Sequence, residues 1–320
     1  QGVASADPQP DAVMLWTRAV PGDGAGEVSL VLELSDTQDF TSLRLREPLS
    51  ASADNDYTLR AYIDGLQPDH YYFYRFLGPG NAVSRTGRTR TAPAPDQEVE
   101  VRMAFVSCQN YEQAYFGAWA RMLADDVAAP ERDRIQFVLH LGDFIYERCW
   151  ATRPDGSANS RQVPPFPHGV QEPDRRYAVS LADYRHLYKT YLSDPHLQAA
   201  RARWPFICTW DDHEFSNDSY QGYSSYRGRS AADAARKLRA NQAWFEFIPA
   251  VLGELEEQPA RDFQPATLDA NPEQANRQAV DSLCIYRRLR WGRWLDILLS
   301  DNRSYRSAPC LPEGFAEDLG

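Results

Sequence analysis

Four short segments gather the side chains able to bind cations and move protons: SCQN from Ser107, GDFIY from Gly142, DDHEFSND from Asp211 and SDNRSYR from Ser300. Each follows an apolar run. Such polar endings bring functional groups onto a common edge of a sheet while the preceding residues stay in its core. In HLGDFIYE, Gly142 permits a tight turn and sets Asp143 just beyond the strand. The Asp143 carboxylate suits a hard cation, and Tyr146, three residues later, can return toward it as a phenolate ligand of a strongly Lewis-acidic centre. Taken alone, the pattern fits equally a turn or helix cap followed by a core aromatic.

TWDDHEFSND is denser. Asp211, Asp212, His213 and Glu214 are consecutive, with Asn217 and Asp218 beyond. That much charge is costly in a buried segment unless it meets metals or hydrogen-bond partners. Asp212 is the preferred ligand. His213 titrates near working pH and can position phosphate or protonate a leaving group. The competing explanation is an acidic solvated loop, against which the flanking Trp210 and Phe215 argue. Cys108 by itself fits an inert buried thiol, a nucleophile or a thiolate ligand. Arg303 can hold an anionic oxygen through its planar guanidinium or form an ordinary salt bridge. His168 lies in a Pro-rich loop and His186 on a Tyr-rich helix, where packing or exposure suffices. No CxxC, HExxH, P-loop or EF-hand pattern offers a competing site.

The elements that must carry these groups follow from periodicity. Residues 1–93 contain AVMLWTRAV, EVSLVLELS, YTLRAYI and HYYFYRFLG, short strands punctuated by Pro, Gly and Asp/Asn. Tyr71, Tyr72 and Tyr74 read as packing residues. TAPAPDQEVE is a linker. A second domain over 100–320 begins with an apolar strand from Val101 to Val106. A helix from Tyr115 to Asp125 places Tyr115, Ala118, Trp119 and Met122 on one face. IQFVLH forms a buried strand that breaks at Gly142–Asp143. A helix from Ser180 to Ser193 gathers Leu181, Tyr184, Leu187, Tyr188, Tyr191 and Leu192. RWPFICTW supplies the third strand, Ala231–Phe247 a helix, and 255–281 a polar, weakly ordered excursion. CIYRRLRWGRWLDILLSDNR reads as two strands around Trp291–Gly292. The alternation is α/β or α+β grammar.

A hydrophobic fraction of 43% supports a substantial core. The formal charge of −11 disfavours nonspecific binding to nucleic acid or anionic membrane. It leaves a phosphate-ester substrate open, because a local metal charge outweighs the diffuse field. No apolar run reaches the length of a transmembrane helix. The chain opens at Gln1 without an apolar leader, which is expected of a processed, secreted or periplasmic chain and equally of a trimmed one. Five cysteines are too few for a disulfide framework, although Cys284 and Cys310 can pair in an oxidising compartment.

GVASADPQPDAVMLWTR, FVSCQ, HLGDFIYE, TWDDHEFSND and SDNRSYR, in that order, resemble the alkaline phosphatase D (PhoD-like) metallophosphoesterase family, related to the purple acid phosphatases. YTLRAYIDGLQPDHYYFYRF separately resembles a fibronectin type III domain, where an L-x-P turn precedes an aromatic-rich strand and a Tyr hydroxyl can tie the corner to the backbone. Together they imply a multidomain α+β protein with an N-terminal fibronectin-like β-sandwich and an incomplete αββα metallophosphoesterase core. The family resemblance implies Cys108, Asp143 and Tyr146 around ferric iron. Asp143 would bridge to calcium, with Asp212 on the divalent side and His213 close to phosphate. Arg303 would bind phosphate, Asn217 would contact or flank calcium, and Asp211 would orient the loop. It further implies late D-x-W-D-G-Y and GDxHS motifs that do not occur here, so a C-terminal fragment or continuation is expected to complete the site.

The expected activity is metal-dependent hydrolysis of phosphate esters, with phosphodiesters favoured over monoesters and a phospholipase D-like head-group hydrolysis within range. A Cys-dependent hydrolase and a non-catalytic secreted binding protein are the competing classes. The first predicts chelator-resistant turnover and the second none.

Overall fold

The computed structural model describes residues 1–22, 26–113, 115–151, 161–224, 232–252 and 259–309. Its backbone is a six-stranded sheet. Four strands run parallel side by side: β1 (Val3–Ala6), β13 (Pro205–Cys208), β9 (Phe137–His140) and β8 (Met103–Val106). On the far side of β1, β2 (Val13–Arg18) and then β5 (Thr58–Ile63) add antiparallel, giving the order β5-β2-β1-β13-β9-β8. A second sheet, in the order β4-β3-β6-β7, contains β3 (Val28–Ser35), β4 (Leu43–Ala51), β6 (Tyr71–Leu77) and β7 (Gly87–Arg90). A small sheet joins β10 (Arg148–Trp150), β11 (Val170–Gln171) and β12 (Arg175–Tyr177). A hairpin of β14 (Arg287–Trp291) and β15 (Leu295–Leu299) turns at Gly292, as the sequence predicts.

This topology corrects the expected free-standing fibronectin-like sandwich and the separate, incomplete αββα core after it. Ser5 and Ala6 pair with Pro205 and Phe206, so the first strand of the chain is bonded into the sheet that carries the polar strand ends. The two sheets of the N-terminal part do face each other: Val3, Val13 and Leu15 pack on Leu30, Leu32, Leu34, Tyr72 and Tyr74. One of those layers continues through β13, β9 and β8 and does not stop at a domain edge. The buried Asp7 carboxylate reinforces the join, accepting from both Nε and Nη2 of Arg287 at 2.7 and 2.8 Å. The Tyr72 hydroxyl accepts from the Gln67 amide at 2.9 Å and so ties β6 to the turn before it.

Helices cover one face of the long sheet: α1 (Gly117–Ala128), α2 (Leu181–Tyr191), α3 (Pro195–Arg203) and α4 (Ala234–Phe247), with α5 (Pro272–Asp281) packed on α4. α2 starts where the sequence places it, because Ser180 and Asp183 form a reciprocal capping box. Tyr184, Leu187, Tyr188 and Tyr191 then bury one face against Trp204, Trp244 and Phe247. α5 falls inside the segment expected to be weakly ordered. Asn271 caps it, accepting from the Glu273 and Gln274 amides, with Pro272 in its first turn. α1 begins two residues later than predicted. Tyr115 and Ala118 are exposed, and with Trp119 and Met122 they line a cavity of about 300 Å³ beside Cys108. β8 departs from the buried strand expected over Val101–Val106. It is an edge strand, and Phe105 is 71% exposed. No described helix is long and apolar enough to cross a membrane. The suggested Cys284–Cys310 pair involves residue 310, outside the described residues.

Candidate metal centre

Because β8, β9 and β13 are parallel neighbours, their C-terminal ends open onto one edge of the sheet, the place where such sheets present ligand sites. The backbone there adopts sparsely populated conformations. Gly142 has φ 106°, and Asp143 and Cys108 follow their strands with φ 54° and 57°. Left-handed non-glycine residues are held only by surrounding structure and collect at functional sites. The turns after β8 and β9 are tied together, Cys108 and Gln109 donating to the Gly142 and Asp143 carbonyls at 3.3 and 3.2 Å.

Asp143, Asp212 and His213 offer one donor atom each, all within 4.8 Å of one another. Asp143 is 5% exposed, and its Oδ1 is buried without a hydrogen-bond partner. Such an oxygen is costly unless a cation meets it. Its Oδ2 accepts from the Tyr146 hydroxyl at 3.1 Å. The Cys108 thiol interacts with both Asp143 and Tyr146 and is exposed, not the inert core thiol of one sequence alternative. Burial, then the neighbouring Asp143 charge, pushes the thiol and the Tyr146 phenol upward. Burial likewise pushes Asp212 up to about 6. A cation among these groups favours all their anionic forms. Two carboxylates and an imidazole this close together, with a phenol and a thiol beside Asp143, therefore fit a metal ion.

Arg303 reaches the same place from the segment after β15. Its Nε donates to Asp211 Oδ1 at 2.6 Å, and its Nη2 lies 3.3 Å from Asp212 Oδ1. Burial works to raise Asp211, but the Arg303 contact outweighs it and holds this carboxyl below its ordinary range. Asn217 lies beside the cluster. Its amide N–H donates to Glu147 Oε1 at 2.8 Å and its side chain to Asp218 Oδ2 at 2.6 Å.

Two carboxylates that the sequence did not single out organise this set. Glu147, fully buried, accepts from or faces His213 Nδ1 at 2.8 Å, and the imidazole rests on the Tyr146 ring with centroids 4.1 Å apart. Burial opposes the imidazolium, but the Glu147 bond and charge, helped by Asp143 and Asp212, raise His213 to about 9. Glu214, also buried, bonds backbone amides of both turns. Burial, then the Asp143 charge, pushes it up to about 8. For Glu147 the sequence signal was only a glutamate beside Tyr146; Glu214 stood in the dense Asp211–Glu214 run but was given no role of its own.

The His213 shift has a definite sign. Its folded value lies above the ordinary 6.5, so the pair's contribution is complete below that pH and is lost as pH rises through about 9. Urea denaturation should therefore show Glu147→Gln destabilised most near neutral and mildly acid pH, with the gap to the unaltered protein narrowing through about 9. A gap independent of pH would contradict the assignment.

Known proteins resemble the chain along most of its length. A family model described as PhoD-like phosphatase matches residues 103–318, and one described as PhoD-like phosphatase, N-terminal domain, matches residues 1–93. Alkaline phosphatase D of Bacillus subtilis (strain 168) is 31% identical over 313 residues, covering 95% of this chain and 46% of that protein. A solved structure titled "Structure of PhoD" superposes with a TM-score of 0.74 at 27% identity, covering 99% of this chain and 55% of the other. An isolated human fibronectin type III domain overlays only 31% of the chain, with a TM-score of 0.23. The chain thus spans about half the length of the relatives it matches.

Proposed function

We propose that this chain, which belongs to the PhoD-like phosphatase family, carries part of a metal-assisted phosphoesterase site that hydrolyses phosphodiesters in preference to monoesters. The observation that carries the proposal is the buried, unpartnered Oδ1 of Asp143, set in a group whose donor atoms lie within 4.8 Å of one another. Cys108, Asp143 and Tyr146 would hold ferric iron, and Asp143, Asp212 and Asn217 calcium. A bound metal offsets phosphate charge and lowers the pKa of water, which is what in-line hydrolysis requires.

The chain's own residues supply the rest. Glu147 fixes His213 through Nδ1 and keeps it protonated, so the other ring nitrogen can donate to a phosphate or leaving-group oxygen. Asp211 orients the Arg303 guanidinium at the edge of the cluster, where it can turn to a phosphate oxygen. A Cys-dependent hydrolase is disfavoured. Burial and then the neighbouring Asp143 carboxylate push the Cys108 thiol up, the reverse of thiolate activation.

Further polypeptide, as a continuation or a companion chain, completes the site in this proposal. Met103 and Phe105 share the sheet face of Phe137 and Leu139, which the β14–β15 hairpin covers farther in. Among the described residues that face is open over β8, with both side chains exposed beside a strand edge that pairs with no described strand. A secreted or periplasmic location belongs to the same proposal. Intact-mass analysis of the native assembly, with phosphodiester and phosphomonoester assays before and after chelation, tests it. A companion segment and chelator-sensitive diester hydrolysis are expected; turnover that survives full metal removal would overturn the metal-assisted reading.

A further inference from the structure

We infer that Glu214 is the positioning residue that sets the distance between the two metal-bearing turns. The inference rests on the reading of Asp143 and Asp212 as cation ligands. Glu214 is 3% exposed. Its Oε2 accepts from the Asp143 amide at 3.1 Å and from the Asp211 amide at 2.9 Å, and its Oε1 accepts from the Phe144 amide at 2.5 Å. One carboxylate thus holds three backbone donors from turns 70 residues apart in sequence.

Two features make this more than a buried acceptor being satisfied. The Asp143 and Phe144 amides lie on either side of the Asp143 Cα, so their two bonds pin that residue in its left-handed conformation at φ 54°. That conformation aims the Asp143 carboxylate. Glu214 itself stands two residues after Asp212, so its reach to the other turn locks both ligands to one side chain. The turns meet without slack: a Cβ on Gly142 would lie 2.3 Å from the Asp211 amide nitrogen. The three backbone donors favour the ionised carboxylate, and a cation held by Asp143 would offset the neighbouring charge that opposes it.

Glutamine cannot reproduce the clamp, because one of its two terminal atoms is a donor facing donors. Aspartate is one methylene too short. The test titrates the full chain with Mn²⁺ alone, reading free ion by electron paramagnetic resonance. It compares the unaltered protein, Asp212→Asn, Glu214→Gln, Glu214→Asp and Glu246→Gln. Glu246 is an equally buried carboxylate paired with Arg185 away from the site. The expected result is a metal affinity on the order of 10- to 100-fold weaker in both Glu214 variants, with Glu246→Gln binding normally at a comparable loss of thermal midpoint. If Asp212→Asn binds Mn²⁺ normally, the ligand reading fails. If Asp212→Asn loses binding while the Glu214 variants retain it, the positioning role alone fails. It fails too if affinity simply tracks lost stability across all variants, or if both Glu214 variants do not fold while Glu246→Gln does.

Discussion

Asp212→Asn is expected to lower phosphodiester turnover by a factor on the order of 100 or more while leaving the fold intact. Asparagine keeps an oxygen for the Asp218 amide, which donates to Asp212 Oδ2 at 2.5 Å, and Arg303 keeps its closer bond to Asp211. What disappears is the negative charge. Burial pushes this carboxyl up to about 6, a nearby cation would favour its ionised form further, and the neutral amide gives that cation far less. Thermal midpoint and turnover measured on the same preparation separate the two effects. Turnover close to that of the unaltered protein would remove Asp212 from the ligand set.

Gly142→Ala should be the most damaging change of a single methyl group. At φ 106° a side chain is strained whatever the space, and here the new Cβ meets the Asp211 backbone nitrogen at 2.3 Å and the Trp210 carbonyl carbon at 2.7 Å. Neither neighbour is the movable end of a side chain. Backbone strain and overpacking together cost about 3 kcal/mol. That lowers the thermal midpoint by roughly 4–5 °C in a chain of this size. The protein that remains folded must part the turns, and metal binding should fall with it. An unchanged midpoint with unchanged metal content would show that the turns are not in contact.

The site was legible where chemistry and local pattern coincide. Asp143 follows a buried run and a glycine, and Asp212–His213 sit between aromatics, so their exit from strands could be read directly. Parallel pairing of β8, β9 and β13 then brings those exits together. Glu147 and Glu214 escaped because their importance lies in partners 66 to 71 residues away, which leave no spacing rule in the chain. The same holds for the fold. Val3–Ala6 looks like the first strand of a separate sandwich, yet its partner is Pro205–Cys208, and pairing across 200 residues has no local signature. α5 was hidden differently. Its helix is polar, and only the Asn271–Pro272 cap, misread as part of an irregular stretch, announced it. In β8, apolar composition suggested burial, but the edge position decides exposure.

Elemental analysis of the natively purified protein, beside Asp143→Asn prepared identically, tests the metal centre most directly. The unaltered protein should retain metal, with iron and calcium foremost, in stoichiometric amounts through gel filtration, and the variant should lose it. Equal metal content in the two, or a metal-free protein with full phosphodiesterase activity, would contradict the assignment.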